Sequence, residues 1–161
     1  MLASLDDALD GMVRARAEEG RRLRAIVLAQ LTEIERLVAA IERSPSRGPA
    51  AIRQRLKEQI GRLLETGVAL DEARLYQEAA LLAARADIEE ELKRLTAHVA
   101  AGRELLDTSE PAGRRLDFLA QEFNREANTL CSKASDPETT RSGLELKAVI
   151  DQMREQVQNI E

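Results

Sequence analysis

The chain has 161 residues, of which 43% are hydrophobic and 33% charged, with a formal net charge of −5 and a pI near 5.2. This excludes an intrinsically disordered chain, which would hold too little apolar material to fold, and a surface that is basic throughout; a local basic patch is still compatible with the sum. Aromatics are 2% of the chain, confined to Tyr76, Phe118 and Phe123, so the core must come from Leu, Ala, Ile and Val, which suits close helix–helix packing.

The start of the chain, MLASLDDALDGMVRARAEEG, sets acidic residues where a secretory signal would be basic, and no apolar run reaches the eighteen residues of a membrane span. The single Cys131 excludes a disulfide framework and suits a reducing cytoplasm. One Cys and one His (His98) are too few for a structural zinc site within one chain.

In chain order, Ser4 with the acidic residues after it reads as an N-cap. Apolar residues then recur at helical spacing from Leu5 to Ile41, predicting one long helix that ends at Ser44–Pro49. A helix of that length cannot bury itself and needs a helical partner, a further domain or a second subunit. A second helix is predicted over 50–65 with Gly67 as its C-cap, then a third from Asp71 to Leu106, with Leu75, Ala79, Leu82, Ile88, Leu92, Leu95 and Val99 inward. The segment 107–113 breaks it. A fourth helix carries Leu116, Leu119, Phe123, Ala127 and Leu130, and a fifth begins at Pro137, an N1 proline, with Leu146, Val149, Met153, Val157 and Ile160 inward. The fold class is all-α: long antiparallel helices forming a hairpin or bundle, extended and oligomeric. Residues 1–74 read as a helical arm and 75–161 as a distinct helical region.

Three strings then stand out: RADIEEELKRLTAHV (85–99), GRRLDFLAQEFNREANTLCSKASD (113–136) and LELKAVIDQMREQVQNIE (144–161). They resemble the C-terminal conserved region of the YicC/YloC family of bacterial endoribonucleases. The likeness is dense over about 75–161 and weak over 1–74, where LDDALDGMVRARAEEG and DEARLYQEAALLAARAD carry it. The resemblance implies cytoplasmic RNA cleavage that depends on a divalent cation, Mn²⁺ or Mg²⁺, and assembly of a homo-oligomer, a hexamer. Family members also carry a sizeable N-terminal domain, so the chain is expected to correspond to the C-terminal portion of a longer protein.

Read from the residues themselves, Asp87, Glu90, Glu91, Arg94 and His98 recur on one face of the third helix. Carboxylates at this spacing can hold a hard cation, or can simply decorate a solvated face. His98 suits proton transfer or metal ligation, and equally a hydrogen-bonded structural role. On the fourth helix Asp117, Gln121, Asn124 and Asn128 form one polar line, and Glu122, Arg125, Glu126, Thr129 and Lys133 a second. Asn is a poor helix former, so the repeated amides point either to RNA backbone contacts or to a buried network fixing helix register. Gln152, Gln156 and Asn159 suggest an interface, and Cys131 a partly buried free thiol.

The expected site is therefore catalytic His98, Glu122 and Glu126; metal-binding Glu90, Glu91, Asp117 and Glu122; and RNA-binding Arg94, Arg114, Arg115, Asn124, Arg125, Asn128 and Lys133. The expected function is the helical C-terminal part of a metal-dependent endoribonuclease. The alternative is a non-catalytic helical module for RNA binding or oligomerisation.

Overall fold

A computed structural model describes residues 2–64, 77, 81, 87–108 and 110–158. Its elements are α-helices α1 (Leu2–Glu42), α2 (Pro49–Leu64), α3 (Glu89–Asp107), α4 (Gly113–Lys133) and α5 (Pro137–Gln158), with a 3-10 turn at Pro45–Arg47. The chain is all-α. Among the described residues no helix is long and apolar enough to cross a membrane.

α1 is already helical at Leu2, so Ser4 sits inside the helix and is not its cap. At about 1.5 Å per residue α1 is about 60 Å long, and its two halves differ. Val27, Leu31, Ile34, Leu37, Val38 and Ile41 are buried, whereas Leu5, Leu9, Met12 and Val13 are exposed. Arg24 marks the departure from the body: its Nε donates to the Leu106 carbonyl at 3.0 Å and its guanidinium meets the Asp107 carboxylate, satisfying the last turn of α3.

The predicted third helix is interrupted. Its start at Asp71, and Gly67 before it, lie outside the described residues, but Asp87 and Ile88 are non-helical. Asp87 Oδ1 accepts the Glu89 amide at 2.9 Å, and Glu89, Glu90 and Glu91 fill the first turn of α3. Acidic side chains there complement the positive end of the helix dipole. Of the remaining predicted stripes, Ile88, Leu92, Leu95, Val99, Leu116, Leu119, Phe123, Ala127, Leu130, Leu146, Met153 and Val157 are buried as the periodicity requires, and Ile150 joins them. Val149 is half-buried, and Leu75, Ala79, Leu82 and Ile160 lie outside the described residues.

The buried half of α1 forms a closed ring with α3, α4 and α5, in which α1 touches α3 and α5 while α4 touches both as well. The cross-links fix its sense. Glu35 pairs with Arg103 and Arg47 with Glu89, so α1 and α3 run oppositely. Glu91 pairs with Lys133 and Arg94 with Glu126, so α3 and α4 do too. Asn124 meets Asp151 and Asn128 meets Lys147, which makes α4 and α5 antiparallel. The result is an up-down-up-down four-helix bundle. Gly102 permits the close approach at its centre: an added Cβ would lie 3.0 Å from Leu31 Cδ1 and 3.3 Å from Leu119 Cδ2.

Asp136 ties α5 and α2 together. Its Oδ1 accepts the Thr139 amide at 2.9 Å, the expected N-cap bond ahead of Pro137, and Arg55 Nη1 lies 3.6 Å from Oδ2. Burial alone would raise the Asp136 pKa, but the Thr139 amide and side chain, Ser46 and the Arg55 charge together outweigh it and the carboxyl sits below the usual aspartate value. A depressed folded pKa means stability that is present above the ordinary aspartate pKa and lost as pH falls through the folded value. Asp136→Ala is expected to cost about 1 kcal/mol at neutral pH. Asp136→Asn keeps the cap and shows a shallower loss of melting temperature on acidification than the wild type. Parallel melts at neutral and acid pH check both; equal acid slopes in wild type and Asp136→Asn would refute the linkage.

Candidate metal centre between the third and fourth helices

The antiparallel packing of α3 on α4 brings side chains from two helices to one seam. His98 comes from α3; Glu122 and Glu126, one turn apart, come from α4. Ligand atoms of these three lie within 4.8 Å of one another, the one such group of His, Cys, Asp and Glu among the described residues. Glu126 is buried, its side chain 3% exposed, while His98 and Glu122 are half-buried.

Each member is held. The His98 ring meets the Phe123 ring edge-on, centroids 5.5 Å apart at 70°, and Phe123 is fully buried, so the imidazole leans on a fixed wall. Arg94 Nη1 donates to Glu126 Oε1 at 3.2 Å, and its Nη2 donates to Glu90 on its own helix. Arg125 Nη1 stands 3.9 Å from Glu122 Oε2. Burial pushes the His98 pKa below its ordinary value; the attraction of Glu126 and Glu122 opposes this without cancelling it, and Arg94 adds to the lowering. The imidazole is therefore held neutral, the form that ligates a cation.

Two observations fit a cation here. His98 Nε2 is buried and finds no hydrogen-bond partner among the described residues, although buried polar atoms are almost always paired. The donor set is one imidazole and two carboxylates, a mixed nitrogen and oxygen set suited to a first-row divalent metal.

The other expected ligands stand apart. Glu90 pairs with Arg94 one turn along α3. Glu91 is buried against Lys133, with Nζ 2.7 Å from Oε1. Asp117 accepts from Gln121 Nε2 at 3.0 Å on α4 itself. The set Glu90, Glu91, Asp117 and Glu122 does not converge: Glu91 Oε2 is also buried without a hydrogen-bond partner among the described residues, but the group of three potential ligands found there is His98, Glu122 and Glu126. The expected RNA contacts divide as well. Asn124 Nδ2 donates to Asp151 Oδ1 at 2.8 Å, Asn128 Nδ2 to Asn124 Oδ1 at 2.6 Å, and Lys147 Nζ to Asn128 Oδ1 at 2.8 Å. That is the register network between α4 and α5, on the side of α4 away from the seam. Lys133 is engaged by Glu91, and Arg94 by two carboxylates. Arg114, Arg115 and Arg125 are exposed, and the first two make no side-chain hydrogen bond or ion pair among the described residues. Asp151 and Lys147 were not singled out in the sequence, although their spacing of four sets them on one face of α5. Burial pushes the Cys131 thiol up, as an inert packed cysteine requires.

Comparison with known proteins bears on the same region. Residues 41–161 match the family model described as Endoribonuclease YicC-like, C-terminal. The chain is 38% identical over 161 residues to the Probable endoribonuclease YicC of Haemophilus influenzae, covering 100% of this chain and 55% of that protein. It is 35% identical over 158 residues to the Probable endoribonuclease YicC of Clostridioides difficile, covering 98% and 54%. The chain thus spans about half the length of these curated relatives.

Proposed function

Because this chain belongs to the YicC-like endoribonuclease C-terminal family, we propose that it contributes to cleavage of RNA phosphodiester bonds, with His98, Glu122 and Glu126 holding a divalent cation at the α3–α4 seam. The observation that carries this reading is the buried, unpartnered His98 Nε2 in a group that also holds two carboxylates. Imidazole suits transition metals better than Mg²⁺, so the expected ion is Mn²⁺. When bound, it would supply Lewis acidity toward a phosphate oxygen and a water of lowered pKa.

The protein's own groups do the rest. Neutral His98, steadied by Phe123, offers its ring nitrogen. Glu126 is fixed through one oxygen by Arg94, which leaves its second oxygen for the cation. Arg94 is half exposed at the mouth of the seam and has further N–H donors for a phosphate. We propose further that Leu5, Leu9 and Met12, exposed at helical spacing on α1, are covered by a second copy of the chain in a homo-oligomer; sedimentation as a single chain would remove that element.

The test of the catalytic reading is RNA cleavage with and without Mn²⁺. Wild-type protein is expected to cleave only with the ion, and Glu122→Ala to cleave in neither condition. Equal cleavage by the two proteins would take Glu122 out of the site.

A further inference from the structure

Phe118 has no structural explanation within the bundle. It is 64% exposed on α4, the same helix on which Phe123 is fully buried. The remaining aromatic, Tyr76, lies outside the described residues. A single exposed hydrophobic residue is ordinary on a protein surface; the company this one keeps is not. Arg114 precedes it by four residues and Glu122 follows it by four, so the three share one helical face. Arg125 is in register one turn beyond Gln121, with its side chain 69% exposed. Arg115 lies between this face and the seam. Arg114 and Arg115 have no ion-pair partner among the described residues, and Arg125 has only the long 3.9 Å approach to Glu122. Open guanidinium groups therefore surround an open aromatic ring about 6 Å along the helix axis from a carboxylate of the candidate cation centre.

We propose that Phe118 is a stacking platform for an unpaired RNA base, and that Arg114, Arg115 and Arg125 hold the flanking phosphates so that the adjoining phosphodiester faces Glu122. This rests on the function proposed above and assigns it a base-binding side chain on α4. Paired bases hide their faces, so an aromatic side chain can stack only on a base that is single-stranded, bulged or at an end. A second subunit burying Phe118 would have to desolvate three arginines for which this face offers a single, distant carboxylate. An anionic polymer with aromatic bases satisfies both features together.

The experiment measures binding, by anisotropy in Ca²⁺-containing or metal-free buffer, of a labelled single-stranded RNA and of the same sequence as a duplex. Proteins compared are wild type, Phe118→Ala and Phe118→Trp, each checked for an unchanged melting temperature and sedimentation coefficient. Phe118→Ala is expected to weaken single-strand binding about tenfold or more, with little change for the duplex. Phe118→Trp should retain binding, and its indole fluorescence should be quenched when RNA is added. Equal single-strand binding by Phe118→Ala and wild type overturns the platform while leaving the cation centre standing. A changed sedimentation coefficient in Phe118→Ala overturns it in favour of a subunit contact. Failure of the wild type to bind either RNA overturns both this inference and the reading it rests on.

Discussion

Glu126→Gln and His98→Ala are each expected to lower Mn²⁺ affinity roughly 100-fold or more, since losing even an outer partner of a metal ligand commonly costs 10- to 100-fold. The readout is thermal stability with and without the ion. An ion that binds only the folded state stabilises it by about 2.7 kcal/mol at a free concentration one hundred times Kd. The wild type should therefore melt several degrees higher in Mn²⁺, and the two variants should gain almost nothing at the same concentration. Glu126→Gln is the cleaner of the two because it keeps the shape of a fully buried side chain and removes only the charge. Arg94 still has Glu90 to pair with, so the variant is not left with a stranded cation. An equal Mn²⁺-dependent gain in all three proteins would contradict the proposed ligand set.

Phe123→Ala is expected to be the most damaging single substitution in the bundle. The ring is fully buried where α3 and α4 meet, and truncating a core Phe to Ala typically costs about 3–5 kcal/mol from lost transfer free energy and the cavity left behind. For a chain of this size that corresponds to a fall in melting temperature of roughly 10 °C or more. The same change removes the wall against His98. Phe123→Leu separates the two effects: it refills most of the volume but not the edge-on ring contact. It should melt close to the wild type while binding Mn²⁺ more weakly. A melting temperature within about two degrees of wild type for Phe123→Ala would mean that Phe123 is not the core residue its burial makes it.

The sequence made the helical architecture and most of the core plain, because Leu and Ile at three- and four-residue spacing leave few alternatives. Three features were harder, each for a physical reason. The break at Asp87–Ile88 has no Pro or Gly to mark it; its signal was an Asp ahead of three glutamates, the signature of a helix start, which also reads as an acidic ligand face. The candidate cation ligands were only partly legible. Spacing along one helix shows which carboxylates share a face, but not which cation from the next helix takes them up. Glu91 goes to Lys133 and Glu90 to Arg94, and neither pairing decides the other. Glu126, by contrast, had a signal of its own. Leu116, Leu119, Phe123, Glu126 and Leu130 alternate three and four residues apart, so a carboxylate occupies a core position of the heptad. A buried charge there needs a partner, and the structure supplies Arg94. The amide line of α4 was ambiguous between RNA and a neighbouring helix, and Asp151 and Lys147 account for it on the helix side.

His98, Glu122 and Glu126 are proposed to ligate one divalent cation together. The direct measurement is anomalous diffraction from crystals of the protein soaked in Mn²⁺. The account predicts an anomalous peak at about 2.0–2.3 Å from His98 Nε2 and from one oxygen each of Glu122 and Glu126. Manganese found only at other carboxylates, with His98 Nε2 still unpartnered, would contradict it.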